Sequence, residues 1–216
     1  HNMKNIYIFG AGGVGRDIVD IVKESGEFSI KGFIDDGKAG NICMDIKIYS
    51  TDEVRSNEKE VNVVIALGEP NLREKIINRL TEEFNKVNYM TIISKKSFIS
   101  KTALIKEGSI IYPNVIINSN VIIEKNVFIG GISSIGHDCI INDNSVIAFN
   151  CSVGNSIIER NVYIGSGSNI RDEIRIGEKS IVGMGSILLK NLDKNKIYYN
   201  TVTSYINENK KERIFK

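Results

Sequence analysis

His137 and Asp138 stand together in the run Ser133-Ser134-Ile135-Gly136-His137-Asp138-Cys139. A histidine titrates near neutral pH and suits general-base work. A carboxylate beside it can orient the ring and stabilise the imidazolium. On these residues alone, a histidine lying in a surface turn fits as well as a base. A second constellation lies near the other end of the chain. Gly10, Gly12, Gly13 and Gly15 match the spacing G-x-G-x-x-G, and Asp35, followed by Asp36, lies twenty residues beyond Gly15. That is the dinucleotide fingerprint, in which glycines let backbone N–H groups at a helix start approach a phosphate. A tight turn that needs glycine only for packing is the plainer reading of the same residues.

The glycines require a strand before them and a helix after. Lys4 to Phe9 reads as a buried strand, and Arg16 to Ser25 as a helix that Gly26 can stop. Ile30 to Ile34 and Val61 to Leu67 read as further strands, with one helical turn possible at Thr51 to Arg55. Asn71 can cap a helix from Leu72 to about Phe84, and Asn88 to Ile93 forms a last short strand. Alternating strands and helices predict a small Rossmann-like parallel sheet over residues 3–94. Only the first half of a doubly wound sheet is present. This favours a pyrophosphate-bearing nucleotide other than NAD.

The histidine sits in a different kind of sequence. Every sixth residue from Ile99 to Val153 is a β-branched aliphatic; one residue drops out of the count, and the period resumes from Ile158 to Leu188. Small residues, among them Ser109, Ser133, Cys139, Ser145 and Cys151, follow four places after many of them. This hexapeptide period predicts a β-helix over residues 95–192, with three short strands closing each triangular coil and about five coils in the stack. His137, two places after the inward Ile135, then projects outward near a corner. Residues 193–216 read as a polar tail.

Composition excludes other classes. Hydrophobic residues make up 42% and charged residues 25% of 216, with a net charge of +2. This gives no reason to expect a nucleic acid or membrane partner. No apolar run is long enough for a membrane span and no secretory signal is visible, so the expected location is the cytoplasm. The three cysteines have no metal-ligand spacing. Two of them, Cys139 and Cys151, occupy the inward small slot and read as packing residues in a reducing compartment, and no metal is implied. His1 and Asn2, ahead of Met3, read as the remnant of a tag.

A glycine-loop domain joined to a hexapeptide prism, with His137-Asp138-Cys139 in the prism, resembles the sialic acid O-acetyltransferase and nucleotide 4-amino-sugar N-acetyltransferase group. The resemblance covers nearly the whole chain and implies a left-handed parallel β-helix. It implies an acetyl-CoA-dependent N-acetyltransferase for a UDP- or dTDP-linked 4-amino sugar in surface glycan synthesis. His137 would be the base and Asp138 its partner. Gly10, Gly12, Gly13, Gly15, Asp35, Asp36, Gly68 and Asn71 would hold the nucleotide sugar. Gly154, Asn155 and Gly165 would meet acetyl-CoA, with the Gly154 N–H donating to the developing oxyanion. The resemblance also implies a homotrimer with active sites between prisms. The chain departs from the group at Gly130-Gly131, where relatives carry an asparagine that touches the sugar. Two other readings stay open, a sugar O-acetyltransferase and a non-catalytic trimeric scaffold that senses a nucleotide or NAD.

Overall fold

The structure is a computed structural model that describes residues 3–200. The N-terminal sheet has the order β3-β4-β2-β1-β5-β6, formed by Lys4–Phe9 (β1), Phe28–Ile34 (β2), Ile42–Cys43 (β3), Ile46–Tyr49 (β4), Glu60–Ile65 (β5) and Lys86–Tyr89 (β6). All pairings are parallel except β3 with β4. Helix α1 (Gly13–Ser25) follows β1, α2 (Thr51–Asn57) follows β4 and α3 (Pro70–Glu83) follows β5. Alternate residues of β1 face opposite ways. Ile6 and Ile8 pack with Ile18 and Val22 of α1, while Tyr7 and Phe9 pack with Ile76 and Leu80 of α3. The sheet therefore carries a helix on each side. Gly26, at φ 65, ends α1 as expected. Two expectations change. Glu69, not Asn71, holds the cap position of α3, and the helix starts at Pro70, a residue pre-set for that place. The hairpin β3–β4 was not anticipated, because its strands are too short to show a period.

The prism begins at Ile92 and continues to Tyr198, so it takes in the first residues of the expected tail. The rest of that tail, from 201 onward, lies outside the described residues. Three parallel sheets of seven, six and five two-residue strands make about six coils, one more than expected. Face one runs from Ile92–Ile93 through Phe128–Ile129 to Ile197–Tyr198, face two from Phe98–Ile99 through Ser134–Ile135 to Ile187–Leu188, and face three from Leu104–Ile105 through Ile140–Ile141 to Arg175–Ile176. The six-residue aliphatics point inward; Ile111, Ile117, Ile123, Ile129, Ile135 and Ile141 are wholly buried. The small residues stitch coils together. The hydroxyls of Ser109, Ser133, Ser145, Ser168 and Ser180 each donate to a carbonyl of the next coil. Cys139 and Cys151 take the same role through sulfur, free of any disulfide. Turns are held by residues in the left-handed region, mostly asparagine (Asn114, Asn120, Asn126, Asn144, Asn150, Asn161), which tolerates it best after glycine. The missing residue in the six-residue count falls in the turn 154–156, and the strand pairing shortens by one there, with Ile140 opposite Ile157.

The outward residues of face one, Ile110, Phe128 and Val146, are buried, whereas Phe98, Ile116 and Leu104 on the other two faces are exposed. The N-terminal domain is what covers face one. Helix α1 reaches the edge between faces one and two, where Tyr112 donates to Asp17 at 3.3 Å and Lys96 pairs with Glu24 at 3.1 Å. Helix α3 reaches the edge between faces one and three, where Glu74 accepts from Asn161 at 2.8 Å and pairs with Arg160. On α3 itself Arg73 is wholly buried, and its hydrogen bonds among the described residues go to carbonyls rather than to a carboxylate. Its guanidinium donates to Asn126 O (2.8 Å) in the prism and to Ile65 O (2.6 Å) and Leu67 O (2.8 Å) at the end of β5. Burial lowers its pKa to about 10, so it remains charged at neutral pH.

Candidate active site

In the N-terminal sheet the strand order reverses between β1 and β5, and a crevice at the carboxyl ends of such strands is where an open α/β sheet binds ligands. The loop after β1 and the loop after β5 flank it. Each glycine there has its own reason. Gly10 has φ 102, and its N–H donates to Ile34 O at 2.8 Å. A Cβ on Gly15 would fall on the Gly10 carbonyl oxygen, so this glycine serves close packing of helix on loop. Gly12 and Gly13 differ. A Cβ on either would meet open space, with at most the Arg16 guanidinium 4.0 Å away, and Gly68 across the crevice is nearly as open. These three line room into which a ligand's phosphates could come close to backbone.

The acidic pair after β2 divides. Asp35 Oδ2 accepts from the Ala11 N–H at 3.0 Å, and Lys38 clasps the same loop by donating to Ala11 O at 2.9 Å. Asp35 therefore shapes the loop while keeping one oxygen open. Asp36 is engaged on both oxygens, by the Thr51 N–H (2.7 Å), the Thr51 hydroxyl (3.1 Å) and Arg79 (3.0 Å). Burial alone would raise its pKa, but these donors hold it below the usual carboxylate value. Asp36 secures α2 and α3 rather than facing the crevice. Asn71 likewise turns toward the prism, where it lines a small cavity with Asn161, Tyr163 and Lys179.

His137 sits in the turn between faces two and three, on the edge opposite face one, which the N-terminal domain covers. Its side chain is 65% exposed. The ring Nδ1 lies 2.7 Å from Asp138 Oδ2. Hydrogen bonds from Asn120 and from the ring lower the Asp138 pKa, so the group is a carboxylate that can only accept. The proton between them therefore belongs to Nδ1, and Nε2 carries the free lone pair. No partner holds Nε2 among the described residues. Asp138 owes this geometry to a left-handed turn conformation, φ 59, where other coils use asparagine.

The expected oxyanion donor, Gly154, is already engaged. The Gly154 N–H donates to Ile170 O at 2.9 Å and the Gly165 N–H to Val182 O at 2.8 Å, both rungs of the coil ladder. The glycines are required because the next coil passes over them; a Cβ on Gly154 would crowd the backbone of Asp172 and one on Gly165 that of Met184. Asn155 is another matter. The pairing of Ile135 with Val153 places it one coil beyond His137 in register, and its N–H is held only by the Asp172 side chain, at 2.9 Å. Neither Asp172 nor Arg73 was visible as a functional residue in the sequence, since each acts on a backbone group distant in the chain. Among the described residues no group of side chains could hold a metal ion, and no helix is long and apolar enough to cross a membrane.

Residues 5–80 match the PglD N-terminal domain family, and residues 120–155 match the bacterial transferase hexapeptide family, six repeats. No curated protein sequence matches the chain. Several solved structures share its whole architecture. A histidine-to-asparagine variant of perosamine N-acetyltransferase from Caulobacter crescentus, in complex with CoA and GDP-perosamine, aligns with a TM-score of 0.83 at 16% identity, over 93% of this chain and 95% of its own. The acetyltransferase domain of PglB from Neisseria gonorrhoeae, in complex with acetyl coenzyme A, aligns at 0.84 and 20% identity, over 92% and 97%. WeeI from Acinetobacter baumannii aligns at 0.82 and 27% identity, over 91% and 97%. The prism is thus the left-handed parallel β-helix of these proteins, preceded by the same α/β domain.

Proposed function

We propose that this chain, which joins a PglD-type N-terminal domain to transferase hexapeptide repeats, is an acetyl-CoA-dependent N-acetyltransferase acting on a UDP- or dTDP-linked 4-amino sugar. The observation that carries the reading is the pairing of an open glycine crevice at a strand switch point with an exposed His–Asp pair on the prism edge. The crevice would take the pyrophosphate against the N–H groups that open α1. His137 Nε2 accepts the proton as the amine attacks the thioester carbonyl, the new C–N bond forms, and the CoA thiolate leaves. Asp138 holds the ring and stabilises the imidazolium. The Asn155 N–H is the donor we assign to the developing oxyanion, in place of Gly154, since only a side chain must let it go. The Caulobacter relative holds CoA and GDP-perosamine together in its histidine variants, so binding survives loss of that histidine there.

The topology also supports assembly. The crevice domain covers face one, and His137 lies on the opposite edge of the same prism. A single chain holds the two half-sites apart, so the catalytic unit is inferred to be a homotrimer in which one copy's crevice meets another's His137. The exposed Phe98, Ile116 and Leu104 beside that edge supply apolar surface for the contact. A panel of UDP-, dTDP- and GDP-linked 4-amino sugars assayed for CoA release tests the reaction, and light scattering tests the trimer. Turnover only with hydroxyl sugars would replace the reading with O-acetylation. NAD binding without any CoA release would replace it with a sensing scaffold.

A further inference from the structure

A cavity of about 560 Å³ opens between α1 and the prism edge shared by faces one and two. Its walls carry Asp17, Asp20 and Glu24 from the helix and Lys96, Tyr112 and Phe149 from the prism. The rings of Tyr112 and Phe149 stand perpendicular, 5.2 Å apart between centroids. Lys96 is the one cation of the lining and pairs with Glu24 at 3.1 Å. That leaves Asp17, which accepts from the Tyr112 hydroxyl through Oδ2 only, and Asp20 without a countercharge in the cavity. Such walls repel phosphate and suit a cation that can sit against both carboxylate and ring. A separate feature marks the same edge. Ile132 adopts φ 64 and is 67% exposed, where neighbouring coils place asparagine. A β-branched side chain in the left-handed region is strained, and such strain clusters at functional sites.

Position completes the case. Asp17 lies one turn along α1 from Gly13, about 6 Å along the axis, so a sugar attached to a pyrophosphate at the helix start falls beside it. We propose that this cavity seats the sugar and that Asp17 recognises its amino group as an ammonium ion, with Tyr112 and Phe149 as the walls. Asp17 is then the residue that selects an amine over a hydroxyl acceptor. The inference rests on the transferase reading above and adds a specificity residue that neither the glycine loop nor His137 supplies.

The test compares a 4-amino sugar nucleotide with its 4-hydroxy counterpart, by calorimetry on the full chain. The wild type should bind the amino form about tenfold more tightly, as a hydrogen bond to a charged group warrants. Asp17→Asn, at an exposed helix position, should abolish that preference by weakening the amino form alone, with acetyl-CoA affinity unchanged. Tyr112→Phe, which keeps the ring, should reduce the preference less. A wild type that binds both forms equally, or an Asp17→Asn variant that keeps the preference, overturns the assignment while the transferase reading stands. A wild type that binds neither nucleotide sugar nor acetyl-CoA overturns both.

Discussion

The crevice and the prism edge reach a reactive arrangement by opposite means. At the crevice the chain offers backbone. Glycines leave space, Asp35 and Lys38 brace the Ala11 turn, and the whole sits on one sheet. At the prism edge it offers side chains, His137 and Asp138, on a turn that is otherwise one of many alike. The first is complete within a chain. The second is a small departure from a repeat, and in the proposed assembly it would face another copy. The difference teaches that a repeat scaffold supplies rigidity and regular placement, while the groups able to recognise a particular molecule come from departures within it and from the irregular domain attached to it.

Variants can break this division of labour, and the largest effect belongs to the prism edge. His137→Ala should lower kcat about 10²–10⁴-fold with little change in the affinity of either substrate, measured by steady-state kinetics and calorimetry. Near-full turnover at saturation would mean the edge is only a turn. Arg73→Met tests whether the two regions are held together by the buried guanidinium. Leaving the Ile65, Leu67 and Asn126 carbonyls unpaired should cost about 3–5 kcal/mol, seen as a fall in denaturation midpoint. A shift within experimental error would show that the apolar contact alone suffices. At the crevice, Gly15→Ala forces a methyl group against the Gly10 carbonyl and should destabilise by about 1–3 kcal/mol. Gly12→Ala meets open space, so it should leave stability unchanged and raise only the acceptor KM. If both glycine variants behaved alike, the distinction between packing and ligand-facing glycines would fall.

The smallest effect concerns Asp138. Its lowered pKa keeps it ionised throughout the range where a histidine titrates. Asp138→Asn should therefore cost less than His137→Ala, because the amide oxygen can still accept the ring N–H although the charge that stabilises the imidazolium is gone. A loss of kcat/KM equal to that of His137→Ala, measured by steady-state kinetics, would assign Asp138 another role.

The prism was legible because its determinant is a single inward aliphatic recurring every six residues. The glycine loop was legible because it is local. Asp36, Asn71 and Gly154 share one feature: sequence reveals that a polar or donor group exists but not which neighbour takes it first. Thr51 and Arg79 engage Asp36, the prism faces Asn71, and Ile170 engages Gly154. Arg73 was invisible because its acceptors are carbonyls, present at every residue, one of them 53 positions away. The cavity at Asp17 depends on α1 lying against Tyr112, a contact across 95 residues that no local pattern encodes.

The clamping of the N-terminal domain along only part of the stack gives the protein a direction. Its polar contacts run from Lys96 to Asn161, so the earlier coils are held laterally as well as by their neighbours. Among the described residues, the coils beyond have mainly each other, and they carry exposed Ile187, Leu189 and Ile197. In a stack whose stability is a sum of nearest-neighbour terms, fraying should start at that carboxyl end and travel inward like an unzipping seam, with amide exchange fastest there. His137 lies within the clamped coils. Its turn should be among the last to open, so the reactive edge would outlast partial melting of the scaffold that presents it.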